Sequence, residues 1–410
     1  MRKILFTLLC IAATTVTAQK KIFIPDSLKI YDLNDTSSRW CFQRTIQTPD
    51  IIFFWEKGFG DDTSCPPDLD GKKMSFNMEN LKNRVQTFYN YFRDTLRFSL
   101  PGSKADKYKM MVMVNYSLEG TAYGGTYDNF IGALWVAPNR IQDERMNCMA
   151  HELGHSFQLQ IPADSVGDAW GGSGFFEMTS QWMLWRVNPL WIDDETYHFD
   201  AFKKQTNRAF LSISNIYHSP YVIEYWAEKH GLTSIAELYR EGKIGEDPAM
   251  TYMRKYNMTQ QQFNEEMFDC YRHLLNFDFS HARKETRKYA ATFDTSLDTL
   301  SDGWMQPDSS YTLEDYGFDA ISLPLGQKKY QIDIQGKNLM YGFVGITTDD
   351  ECIYGEYGKK DNGSISFSTP KNKTLKKLYL VVMGSPEKHV MLNYEDESTN
   401  RKYPFKFRCS

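Results

Sequence analysis

The chain has 410 residues, 41% of them apolar and 24% charged, with a formal charge of −5. That length exceeds one ordinary core, so two structural units are expected, and the balance excludes a disordered or membrane-embedded chain. Loss of Arg2 and Lys3 with a leader would move the charge from −5 to −7, which leaves no electrostatic case for binding nucleic acid or anionic lipid.

Residues 1–18 read as a secretory signal. Arg2 and Lys3 precede the apolar run Ile4 to Ala13, and Val16-Thr17-Ala18 supplies small residues for cleavage. Leu8-Leu9 before Cys10 does not match a lipoprotein site. No later window approaches the length that a bilayer requires, so a secreted or periplasmic protein without a transmembrane segment is expected. Six cysteines remain after the leader: Cys41, Cys65, Cys148, Cys270, Cys352 and Cys409. An even count fits an oxidising compartment, and Cys41 with Cys65 is the pair most easily closed within one local segment.

Residues 19–75 are rich in proline, aspartate and glycine, with one buried strand in "DIIFFWEKGFG" from Asp50. This stretch leaves room for a pro-segment, although it holds no cysteine-switch motif. A helix is predicted over Glu79–Phe98, where Leu81, Val85, Phe88, Tyr89 and Phe92 recur at three- and four-residue steps. "KYKMMVMVNYS" from Lys107 reads as a strand. Gly120, Gly124 and Gly125 mark a turn-rich loop, and "FIGALWVAP" from Phe130 is another strand. Helices follow over 142–160 and 175–187, and the pattern from 219 to 278 is helical throughout. Beyond 285, "YQIDI", "GFVGITT", "SISFST" and "KLYLVVMG" alternate with turn residues, as in a β-sandwich. The expected organisation is α+β: a leader (1–18), a unit of mixed sheet plus helices (19–284) and a β-sandwich domain (285–410).

His151-Glu152-Leu153-Gly154-His155 matches HExxH. Residues four apart on a helix lie about 40° apart around its axis, so both imidazoles can face one metal, with Glu152 roughly 60° beyond His155. The chance expectation for this pattern is on the order of one per cent per chain. Met146, Met149, Ala150, Leu153 and Phe157 form a stripe opposite these three polar residues. A catalytic zinc takes three protein ligands and keeps one open position. The three-histidine extension is excluded, because Gln158 and Ile161 stand where glycine and histidine would be needed. Asp164 and Asp168 are alternatives in a loop with no accompanying motif. Glu177, on the next predicted helix, is the stronger third ligand, with Gln181 one turn on as a hydrogen-bond partner for a ligand.

With Zn2+ on His151, His155 and Glu177, Glu152 would serve as general base. Tyr217, His218 and Tyr221 form the nearest cluster able to stabilise an oxyanion. The strand Gly132-Ala133-Leu134-Trp135 would pair with an extended substrate by edge addition.

HELGH followed by Glu177 resembles the gluzincins, the HExxH metallopeptidases whose third ligand is glutamate. "GALWVAP", "FFEMTSQWM", "YGFVGITTDD", "LYLVVMGSP" and "YPFKF" also resemble a secreted bacterial zincin-like family described only as a domain of unknown function. The resemblance implies a zincin-like catalytic domain, an appended β-sandwich, and His151, His155 and Glu177 as zinc ligands. Gln181 stands where thermolysin-like gluzincins often carry aspartate. The expected activity is a zinc metalloendopeptidase acting on protein or peptide, glycoprotein included. The alternative is a zinc-containing binding protein whose β-sandwich recognises a glycan or surface partner.

Overall fold

A computed structural model describes residues 19–359, 361–394 and 396–409. The expected leader, 1–18, lies outside the described residues. Among those described, no helix is long and apolar enough to cross a membrane.

The first sheet joins β1 (Thr45–Gln47), β2 (Ile51–Trp55), β3 (Met110–Val114), β4 (Tyr123–Tyr127) and β5 (Ile131–Val136) in the order β1-β2-β3-β5-β4. β2, β3 and β5 run parallel, and antiparallel β1 and β4 form the two edges. Every residue of β2 and β3 is buried, as a strand covered on both faces requires. One face receives α1 (Met78–Asn90). Leu81, Val85, Phe88 and Tyr89 form its buried stripe, as the periodicity predicts. The helix does not run straight to Phe98, because Tyr91–Thr95 widens into a π turn. The other face is closed by Leu28, Leu33 and Trp40 against Ile52, Phe54, Met111, Met113 and Ala133. The stretch that left room for a pro-segment is therefore core: it supplies β1, β2 and the cover of the sheet.

Short α2 (Lys104–Lys107) precedes β3, and the remaining helices follow β5. They are α3 (Asn147–Ala163), α4 (Gly174–Val187), α5 (Trp191–Asp194), α6 (Thr196–Lys203), α7 (Tyr221–His230), α8 (Ser234–Glu241), α9 (Pro248–Lys255), α10 (Gln260–Leu274) and α11 (Arg283–Thr286). α3 starts at Asn147 rather than 142. Met146 ahead of it takes a left-handed φ of 58°, and its amide is held by Asp143 Oδ1 at 2.7 Å.

The remaining nine strands are β6 (Leu297–Thr299), β7 (Met305–Pro307), β8 (Phe318–Ser322), β9 (Lys329–Gly336), β10 (Leu339–Thr347), β11 (Cys352–Gly358), β12 (Gly363–Ser368), β13 (Leu375–Gly384) and β14 (Phe405–Cys409). They form a four-stranded sheet, β11-β10-β13-β8, and a five-stranded sheet, β12-β9-β14-β7-β6. Leu378, Leu380 and Val382 of β13 face the second sheet, together with Tyr341 and Phe343 of β10 and Ile332, Ile334 and Phe407. The alternate residues Tyr379, Val381 and Met383, with Met340, Val344 and Ile346, enter the core of the helical unit instead. Tyr271 of α10 stacks on Phe318 of β8 with centroids 4.3 Å apart. The two-residue period of a strand thus divides one sheet between two cores.

All six described cysteines carry free thiols. Cys41 and Cys65 do not form the bridge that their spacing favours: Cys41 is buried and Cys65 exposed.

Because the cores share a sheet, Met340→Ala should destabilise both halves by about 2–5 kcal/mol. Differential scanning calorimetry should show one endotherm moved as a whole. Two resolved endotherms, with only one displaced, would contradict the shared core.

Candidate metal centre

The stripe Met149, Ala150, Leu153 and Phe157 of α3, with Met146 just ahead of it, is fully buried, with Phe157 5.0 Å from the Tyr89 ring. This leaves His151, Glu152 and His155 facing α4 and β4. Gly154 lets α4 approach, since a Cβ there would lie 2.5 Å from Ser180 Oγ, and the Ser180 hydroxyl donates to the His151 carbonyl. Ser173 caps α4 and Glu177 lies in its first turn, where the helix dipole favours a carboxylate.

Three atoms converge. His151 Nε2 and His155 Nε2 lie 3.1 and 3.0 Å from Glu177 Oε2, and 3.0 Å from each other. Their tautomers follow from two glutamines. Gln181 Nε2 donates to the Tyr217 carbonyl at 2.9 Å, so its Oε1 must accept from His151 Nδ1 at 2.8 Å. Gln158 Nε2 donates to the Phe176 carbonyl and the Tyr239 hydroxyl, so its Oε1 accepts from His155 Nδ1 at 2.9 Å. With Nδ1 protonated in both rings, each imidazole in its neutral form would turn a bare Nε2 lone pair toward the same carboxylate oxygen. Three such atoms repel unless a cation, a proton or a metal ion, lies among them. A tetrahedral metal with bonds of about 2.0–2.1 Å separates its ligands by about 3.3 Å, so the donor set and its spacing fit such an ion. Burial would raise the Glu177 pKa, but where the rings carry a proton on Nε2 their hydrogen bonds and charge outweigh burial and lower it to about 2.

Among the described residues this is the one group of three His, Cys, Asp or Glu donors lying within 4.8 Å of one another. Asp164, the first alternative, is engaged by the Lys104 amide and Gln160. Asp168 accepts from the Trp170 amide.

Glu152 differs from Glu177. Burial pushes its pKa up to about 7, against the opposing pull of His151 and of a hydrogen bond from Gly124. That bond, Gly124 N to Glu152 Oε2 at 2.6 Å, ties the carboxylate to β4. Here the sequence expectation needs two corrections. Gly124 and Gly125 are not in a turn but inside the edge strand, because a Cβ at Gly124 would overlap the Glu152 carbonyl oxygen. Ala133, Leu134 and Trp135 lie on β5, which is paired on both sides. Their backbone is therefore closed to edge addition, and the open edge above the site is β4.

A cleft of about 520 Å³ joins the His151, His155 and Glu177 cluster to Glu152 and is lined by Thr121–Gly124 and Tyr217 as well. The Tyr217 ring lies 6.1 Å from that of His151. Burial, Glu177 and Glu152 raise its phenol to about 12, so it stays a donor at neutral pH. His218 does not line this cleft. Its Nδ1 lies 2.7 Å from His198 Nδ1, and burial with His198 pushes its pKa down to about 4. Tyr221 is fully buried between Trp185 and Phe202. In their place His198, Glu195, Asn147 and Arg140 line the cleft. Glu195 Oε2 stands 3.3 Å from His198 Nε2, and the carboxylate also accepts from Asn147 and the Trp191 indole. The spacing Glu195-x-x-His198 was the available signal, one turn apart at a helix start.

The molecule is thus an α+β protein with a two-histidine, one-carboxylate cluster on packed helices beneath an open sheet edge. It belongs to the family described as a family of unknown function (DUF6055), which matches residues 14–410. No curated protein matches the sequence.

Replacing either glutamine by leucine should free the ring that it orients. If the cluster holds a divalent metal, Gln158→Leu and Gln181→Leu should each weaken its binding about 10–100-fold, read by competition titration with Zn2+ against a chromogenic chelator. Unchanged affinity in both variants would refute the orienting role.

Proposed function

We propose that this chain is a secreted or periplasmic zinc-dependent peptidase with a zincin-like catalytic unit, His151, His155 and Glu177 holding Zn2+. The observation that carries this reading is the convergence of two imidazole nitrogens and a carboxylate oxygen 3.0–3.1 Å apart. A buried carboxylate with a pKa of about 7 stands beside them.

Zinc held there would supply Lewis-acid activation of water and of the scissile carbonyl. Glu152 takes the proton from the attacking water and returns it to the leaving nitrogen, a task suited to a carboxylate poised near neutrality. Tyr217 offers its hydroxyl to the oxyanion. The free edge of β4 receives an extended peptide as an added strand, with Gly124 keeping the approach close. A protein that used zinc only as scaffold or for glycan binding would need the ligands but not the proton acceptor.

Glu152→Gln should retain zinc and lose about 10²–10⁴-fold in peptide hydrolysis, whereas His155→Ala should lose the metal itself. Both are read by metal analysis alongside mass spectrometry of a mixed peptide substrate. Equal cleavage by wild type and Glu152→Gln would end the peptidase reading.

The base works ionised, so activity should fall as pH drops through the Glu152 pKa. Burial raises that pKa to about 7 and a bound cation draws it down. The acid limb of kcat/KM should therefore lie at or below about pH 7 and vanish in the residual activity of Glu152→Gln. A profile flat from pH 5 to 8 would remove Glu152 as the titrating base.

A further inference from the structure

Arg140 closes the 3-10 turn Pro138–Arg140 after β5 and is exposed at the end of the cleft. Its Nε donates to the Gly120 carbonyl, and among the described residues its two Nη groups make no hydrogen bond. Among the described residues no carboxylate lies within ion-pair distance of it, although acidic side chains are close. Most of those acids are engaged elsewhere: Glu195 with His198, Asn147 and Trp191, Asp194 with Arg145, Asp143 with the Met146 amide and Glu152 with Gly124, while Glu144 lines the adjoining pocket with Arg140 beyond ion-pair distance. Arg140 is thus a cation in the cleft whose fork has no protein anion to hold. Such a fork matches a carboxylate in geometry as well as charge.

Its position along the substrate path follows from β4. Glu152 meets this strand at Gly124, and Arg140 is pinned to Gly120. Four residues of chain span at most about 14 Å. A peptide added to β4 pairs more stably in the antiparallel sense, and would then run from the Tyr127 end toward the Thr121 end. Its C-terminal side arrives at Arg140.

Resting on the peptidase reading, we infer that Arg140 selects substrates bearing a carboxylate within about four residues on the C-terminal side of the scissile bond. That carboxylate is either the chain terminus of a short peptide or an Asp or Glu side chain.

Matched peptides separate the two sources: one with a free C-terminus, the same peptide amidated, and amidated versions with Glu or Gln placed on the C-terminal side of the cut. Turnover is measured with wild type, and binding with zinc-loaded Glu152→Gln by isothermal titration. Wild type should favour a carboxylate-bearing peptide over its neutral match by about 10–100-fold in kcat/KM. Arg140→Gln should bring that ratio to about one, and Arg140→Lys should keep part of it. Preference for the free terminus identifies an enzyme that trims chain ends, and preference for Glu over Gln an endopeptidase reading acidic side chains. A wild type indifferent to both exchanges would overturn the inference, as would an Arg140→Gln that lowers every peptide equally. Carboxylate-dependent binding without turnover would sink the peptidase reading and leave the Arg140 assignment standing.

Discussion

Two amide side chains decide what the centre of this molecule can hold. Gln158 and Gln181 are each anchored by their NH2 groups to a backbone carbonyl, of Phe176 and Tyr217. Neither amide can rotate without breaking that bond. Their oxygens therefore require a proton on Nδ1 of both histidines, and the opposite nitrogens meet at Glu177 Oε2. One such lone pair would be ordinary. Three within 3.1 Å of one another, partly desolvated, make a demand for positive charge that a proton or a metal ion can meet. The anchors also bind elements together: α3 to the start of α4 through Gln158, and α4 to the loop before α7 through Gln181.

The same neighbourhood holds two carboxylates in opposite conditions. Both are desolvated, which alone would raise both pKa values. With the rings protonated, Glu177 has two imidazole partners and falls to about 2, whereas burial dominates at Glu152, which has a single backbone donor, and raises it to about 7. Divergent environments suit paired acids to different tasks, and here the difference comes from the groups that each carboxylate meets on its own helix.

Much of this centre was legible from spacing. The i, i+4 histidines, the opposite apolar stripe and the glutamate one helix later depend on helical geometry alone, and the structure brings His151, His155, Glu177 and Gln181 together. β4 was illegible because glycine carries two meanings. Gly124 and Gly125 read as a turn from local propensity, yet Gly124 is glycine because a helix backbone lies where its side chain would be. That contact is long-range, and no window of sequence contains it. The neighbouring strand erred in the opposite direction. A nearly unbroken apolar run such as Ile131–Val136 marks a strand covered on both faces, which argues for the interior of a sheet over its edge. Tyr217 reaches the cleft while His218 turns behind it, a difference of one residue in an irregular loop that periodicity does not resolve. Residues 19–40 were opaque for a related reason: their cover of the sheet is made by scattered side chains without a regular period.

The four-stranded sheet of the β half has a consequence for how this architecture can change over time. Because successive residues of β10 and β13 belong to different interiors, the β half is not a cassette that recombination could swap or delete. Its removal would uncover Met340, Val344, Ile346, Val381 and Met383, all fully buried, beside a helical layer stripped of its own lining. A lineage carrying this arrangement must inherit both halves together, and its variation is confined to the loops that neither interior owns.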